Sequence, residues 1–137
     1  MLAVIVSASS ALTDTFPSVT GVWAGSYRVA FPADHPKYPD QSVETSMELD
    51  IYQQESNLIW VINRWRRDAN EPWVVEYATG SFDLEDRSDL VITEKGPAEN
   101  EHVNTGVFTG ELEDGDLYLN YIGLGDGITF SVKLSRQ

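Results

Sequence analysis

Thr20-Gly21-Val22-Trp23-Ala24-Gly25-Ser26-Tyr27-Arg28-Val29-Ala30-Phe31 reads as a long strand. Trp23, Gly25, Tyr27, Val29 and Phe31 share one parity; Val22, Ala24, Ser26, Arg28 and Ala30 share the other. Successive strand side chains point to opposite faces, so the aromatic parity is the expected inner face. Gly21 lets the chain enter the strand tightly. Gly25, two residues past Trp23 on the same face, leaves a hole for a ring or a bend that a barrel needs.

The rest of the chain repeats this alternation between polar breaks. Residues 32–42 hold three prolines, which excludes helix and central strand and makes a long, semi-rigid loop. Val43, Thr45, Met47, Leu49 and Ile51 then alternate with Glu44, Ser46, Glu48, Asp50 and Tyr52, a half-buried strand. Leu58 to Trp65 follows, apolar on both faces for its first five residues, as in a strand covered on both sides. Further strands are expected over 73–82, 89–94, 105–112, 117–123 and 128–135. The Asp114-Gly115 pair between two of them is a strong hairpin signal, because a tight turn needs positive φ.

No segment has a helical period. The expectation is an all-β chain: an eight-stranded antiparallel up-and-down barrel, with a two-sheet sandwich as the rival. The connections sort by length. Loops 32–42, 66–72, 95–104 and 124–127 fall at one end, and the short breaks 53–57, 84–88 and 113–116 at the other. Ligand mouths sit where loops are long, so the first end is the expected rim.

A chain of 137 residues fits one domain. It can bury roughly 65–70 % of its unfolded surface. There is no cysteine, which excludes disulfides, thiolate nucleophiles and thiolate metal sites. The formal charge of −13 makes nucleic acid and anionic lipid poor partners. Residues 1–19 are expected to form an N-terminal arm. Met1 to Ala11 resembles the back half of a secretory signal but has no charged n-region, and its apolar run of about six residues is short. It is too short to span a bilayer. An extra strand, a plug across a barrel end, or an arm given to a neighbouring subunit are the three readings; the arm is preferred, and with it a homo-oligomer. A cytoplasmic location is favoured over a secreted or periplasmic one.

Gly21-Val22-Trp23 at the start of the first strand resembles the Gly-x-Trp signature of the calycin superfamily: lipocalins, fatty-acid-binding proteins and avidin-like barrels. In lipocalins that Trp closes one barrel end beneath a late Arg. Here the resemblance implies that Arg136, which shares the parity of Leu134 and Val132, covers Trp23. The lipocalin C-terminal helix and the two-helix lid of fatty-acid-binding proteins are missing. No avidin-like biotin motif is present, so the ligands of these families do not transfer.

The candidate ligand-lining residues are Tyr27, Phe31, Trp60, Arg64, Trp65, Trp73, Tyr77 and Tyr121. Trp60, Trp65 and Trp73 lie on adjacent strands that meet at the rim and suit a flat or aliphatic ligand. Arg64, Arg66 and Arg67 are the only basic cluster. If Arg64 faces inward with Trp60 and Ile62, it could clamp a carboxylate or enolate, with Glu76 the nearest partner although on the parity opposite to Trp73 and Tyr77. Otherwise it is a rim residue paired with Asp68 or Glu71. The hydroxyls of Tyr27, Tyr77 and Tyr121 could orient a carbonyl. His35 and His102, with Asp34 or Glu101, match no metal-site spacing, so no metal and no cofactor are expected. No nucleophile elbow, phosphate loop or EF-hand pattern is visible, and no catalytic residue can be named.

Three functions remain open at this level. One is a barrel holding a small apolar or aromatic molecule. Another is a compact-barrel cyclase, resembling allene oxide cyclases and polyketide β-barrel cyclases, that works by shaping its substrate. The last is a self-assembly module using the arm.

Overall fold

A computed structural model describes residues 15–95, 105–125 and 127–137. The Met1–Ala11 segment, and with it the arm as a subunit contact, lies outside the described residues, as do Glu101 and His102. The strands are β1 (Gly21–Ala30), β2 (Ser42–Glu55), β3 (Leu58–Arg66), β4 (Val74–Phe82), β5 (Asp89–Lys95), β6 (Gly106–Glu113), β7 (Asp116–Gly123) and β8 (Thr129–Arg136). They pair in that order, each antiparallel to the next, and β8 closes on β1. The barrel is the expected one, and the sandwich is excluded. Among the described residues there is no helix.

Which face of each strand points inward follows from one unambiguous strand. In β2, Met47, Leu49 and Ile51 are buried and alternate with charged neighbours. Residues directly opposite each other in a ladder share a face. Met47 faces Trp65, Leu49 faces Asn63 and Ile51 faces Val61, so these β3 residues point inward. Asn63 in turn faces Glu76 and Val61 faces Ala78 on β4; Ala78 faces Glu94 on β5. Ile92 faces Phe108, Phe108 faces Tyr121, and Tyr121 faces Phe130. On the first strand, Trp23 faces Leu49 and Tyr27 faces Thr45. The ladder therefore corrects two strands. Trp60, Ile62 and Arg64 point outward on β3, and Tyr77, 56 % exposed, points outward on β4. The apolar run Leu58–Ile62 has no polar alternation to set its parity, and the buried Asn63 and Glu76 break the usual hydrophobic-in pattern.

The tight-turn end is sealed. Trp23 is 1 % exposed, and its indole N–H donates to the Val19 carbonyl at 2.8 Å. The Arg136 guanidinium lies 4.6 Å from the indole centroid and donates to the Ser18 carbonyl at 2.6 Å. Gln54 holds the incoming chain on both sides: it accepts from the Val19 N–H at 3.0 Å and donates to the Pro17 carbonyl at 2.8 Å. Phe16 covers Phe82, with ring centroids 6.3 Å apart. At the β6–β7 hairpin, Asp114 and Gly115 have φ of 51° and 83°, as the Asp-Gly pair requires.

Gly25 meets backbone where the sequence suggested space for a ring. A Cβ there would collide with the Lys133 carbonyl oxygen of β8 and crowd Leu134. The glycine lets β8 close against β1 where their paired register ends at Ala24 and Ser135. Gly25→Val is expected to cost at least about 1–3 kcal/mol, because the clash is with main chain that cannot rotate away. Urea unfolding of the purified variant checks this; an unchanged midpoint would show that the seam can shift without cost.

Candidate functional site

The barrel interior has two storeys. Towards the tight turns it is filled by Trp23, Leu49, Ile51, Phe82, Leu117 and Leu134. Towards the rim the inward positions become aromatic and polar, and a cavity of about 590 Å³ opens there. Pro32, Asp34, His35 and Tyr38 of the β1–β2 loop edge its mouth. The long-loop end is thus the open one.

One wall is a stack of three rings from adjacent strands. Tyr27 and Phe130 lie 3.5 Å apart, at 4° to one another. Phe130 and Tyr121 lie 4.7 Å apart at 17°. Burial pushes the Tyr27 hydroxyl well above the ordinary tyrosine range, against the opposing pull of Arg67. Tyr27 therefore stays a neutral hydrogen-bonding group.

Deeper in the cavity lies a polar group. Asn63, Glu76 and Glu94 are 2 %, 2 % and 5 % exposed. Asn63 Nδ2 donates to Glu94 Oε2 at 2.7 Å, and Trp65 Nε1 donates to Glu76 Oε2 at 2.9 Å. The other carboxyl oxygens, Oε1 of Glu76 and of Glu94, and the Asn63 Oδ1 accept from no described donor. Burial raises the pKa of Glu94 to about 9, and a hydrogen bond and the charge of the neighbouring Glu76 add to the rise; hydrogen bonds from Asn63 and Tyr121 oppose it. Glu94 therefore holds a proton at neutral pH. Buried acceptors without donors are costly, on the order of 1–3 kcal/mol each. A barrel interior has no need of them for folding.

At the mouth, the Arg67 guanidinium sits 4.8, 5.1 and 5.4 Å from the rings of Trp65, Phe31 and Tyr38. No carboxylate among the described residues lies within ion-pair distance of it. His35 is built into the loop: its Nδ1 accepts the N–H groups of Lys37 and Tyr38 at 3.2 and 3.0 Å, and its ring packs 4.4 Å from Phe31. Arg67 and His35 together brace the β1–β2 loop over the cavity.

Of the residues expected to line the site, Tyr27, Trp65 and Tyr121 do so. Phe31 is buried beneath the loop, beside the mouth. Trp60, Arg64, Trp73 and Tyr77 do not join them. Trp73 precedes β4 and lies under the Arg66 guanidinium at 4.2 Å. Arg64 pairs across the outer face with Glu48 and Asp50, at 3.9 Å each, rather than with Asp68, Glu71 or Glu76. Long, half-exposed pairs of this kind contribute little. Arg64→Ala is expected to change stability by under about 1 kcal/mol. Chemical denaturation of the variant checks this.

Sequence reasoning left Asn63, Glu94 and Phe130 off the candidate site, and named Arg67 only within the basic cluster and Glu76 only as a partner for Arg64. Counting register across the short turn at 56–57, with Glu55 opposite Leu58, would set Arg64 opposite Leu49; a β-bulge between Ile51 and Gln53 shifts the register by one residue and brings Asn63 there instead, and Glu76 follows from Asn63.

The chain matches no known protein-family model, and a search of the curated proteins finds no significant match.

Proposed function

We propose that this barrel binds a small molecule in its rim-half cavity. The ligand's flat, apolar part lies against the Tyr27–Phe130–Tyr121 wall, and its polar end reaches Asn63, Glu76 and Glu94. The observation that supports this most is the pairing of an open cavity with buried acceptors that have no donor. Its volume of about 590 Å³ suits a drug-sized molecule. A purely apolar ligand would leave the carboxyl pair desolvated and unpaired, so the sequence-based expectation of an apolar or aromatic ligand is narrowed to one with a polar end. The Trp23–Arg136 pair at the sealed end supports the calycin likeness, which favours internal ligands.

Native mass spectrometry of the purified protein tests the reading and gives the subunit count in the same spectrum. The expected result is a bound mass that Tyr121→Trp, which narrows the cavity, displaces. A protein that neither retains a small molecule nor binds members of an amphiphilic aromatic library would overturn it.

A second reading has one observation in its favour. The proton held by Glu94 beside Glu76, inside a shaped cavity, is what a compact-barrel cyclase would use to protonate an enolate or a carbonyl oxygen. Product analysis with a keto-polyene substrate separates the two, since a binder returns the substrate unchanged.

A further inference from the structure

Asn63 Oδ1, Glu76 Oε1 and Glu94 Oε1 are buried and belong to residues that line the cavity, as does Arg67, whose Nε is a buried donor without a partner among the described residues. The proton that Glu94 holds is shared with Glu76, and Asn63 Oδ1 has no described donor. Asn63 is the independent member of this set. It is an uncharged side chain, 2 % exposed, whose amide donates to Glu94 while its carbonyl oxygen has no donor. A carboxyl pair alone could be satisfied by one shared proton; the amide oxygen could not. What is missing is a donor for the Asn63 oxygen and a positive charge beside Glu76.

We propose that the ligand's polar end is a protonated primary amine, carried on an aromatic body. This deepens the binding reading above and rests on it. An ammonium offers three donors and no acceptor, so it can take the place of the proton shared by Glu94 and Glu76 and serve the Asn63 oxygen as well. Its charge offsets the Glu76 carboxylate, which has the Trp65 indole N–H and no cation at ion-pair distance among the described residues. A hydroxyl brings one donor, enough for the Asn63 oxygen, but no charge to set against Glu76. A carboxylate brings only acceptors and repels the pair. The ring wall supplies the rest of the fit, because an amine on a short linker stands off an aromatic face by a few ångströms.

Three probes with one body and different heads decide the matter: tryptamine, tryptophol and indole-3-acetate, titrated calorimetrically into the full-length protein. Tryptamine is expected to bind about 10-fold or more tighter than either of the others, the range for hydrogen bonds to charged groups. Glu76→Gln keeps an acceptor for the Trp65 indole. It is expected to abolish that preference. Equal or tighter binding of tryptophol or indole-3-acetate to the wild type would overturn the amine and leave the binding reading standing. Binding of none of the three would count against both. Because the head-group comparison is made on the unmodified protein, it decides the proposal even if the Glu76 variant fails to fold.

Discussion

Trp23→Ala lowers the stability of the barrel by about 3–5 kcal/mol, the range for emptying a buried aromatic site. Three losses combine. The indole is the largest fully buried side chain at the sealed end, so its removal leaves a void where β1, β2 and β8 meet. The Val19 carbonyl loses its donor. Arg136 loses the ring on which it lies, a contact that adds about 0.5–2 kcal/mol. Arg136→Leu, which spares the first two but also removes the hydrogen bond to the Ser18 carbonyl, is expected to cost about 1–3 kcal/mol. Guanidinium unfolding, read as a shift of the midpoint at constant slope, checks both variants. A loss under about 1 kcal/mol for Trp23→Ala would mean that the end of the barrel collapses to fill the gap. The cavity lies in the other half of the barrel, so ligand affinity at a temperature where the variant stays folded should be unaffected.

The same residues show why the architecture was legible in the chain and the site only in part. Turns announced themselves by Asp-Gly, by prolines and by polar runs, and the alternation in β2 and β8 set their inner faces without ambiguity. Strand order and loop lengths then located the mouth. The seal was legible because Gly21, Trp23 and Arg136 are distinctive residues at fixed places in the strand order. The site failed on a single assumption. Hydrophobic-in, polar-out is a rule about folding, and β3 and β4 break it where Asn63 and Glu76 are buried. Taking the aromatic parity as inner put Trp60 and Tyr77 inside and left Arg64 open between an inward clamp and a rim pair, and the β-bulge between Ile51 and Gln53 that sets the β3 parity has no signal in the sequence. Glu94 closes the expected strand 89–94 on the parity of Leu90 and Ile92, so its inward face was legible in β5 alone. Its role was not, because the carboxyl of Glu76 that it meets comes from another strand.

Glu94→Gln should make the empty barrel more stable, and only above acid pH. In the folded chain Glu94 keeps its proton up to about pH 9, because the carboxyl is buried next to Glu76. In the unfolded chain it releases the proton near about 4.3. Between these values the folded state binds more protons than the unfolded state, so stability falls as pH rises, by up to about 1.4 kcal/mol per pH unit for this one group. The contribution is fully present below the unfolded value and is lost on passing through the folded one. Asn63 from β3, Glu76 from β4 and Tyr121 from β7 are the polar groups that act on Glu94. Gln reproduces the protonated acid: its carbonyl accepts from Asn63 Nδ2 and its amide donates towards Glu76. It has no proton to lose, so that part of the pH slope disappears. The variant should match the wild type at pH 4.5 and exceed it by about 1–3 kcal/mol at pH 8, a fraction of the full linkage because the carboxyl pair can relax and admit water. Denaturation at pH 4.5, 6.5 and 8 measures the difference, and self-repulsion among the surface acids cancels in the comparison. A variant less stable than the wild type at pH 8, or one with the same slope, would place the proton elsewhere. A position where a neutral isostere folds better, inside a cavity that opens to solvent, is one where the chain keeps a titratable group at a cost to its own stability. Such positions are expected where a group meets a ligand, and this is the physical reason to look for function at the Glu76–Glu94 pair rather than anywhere else on the barrel.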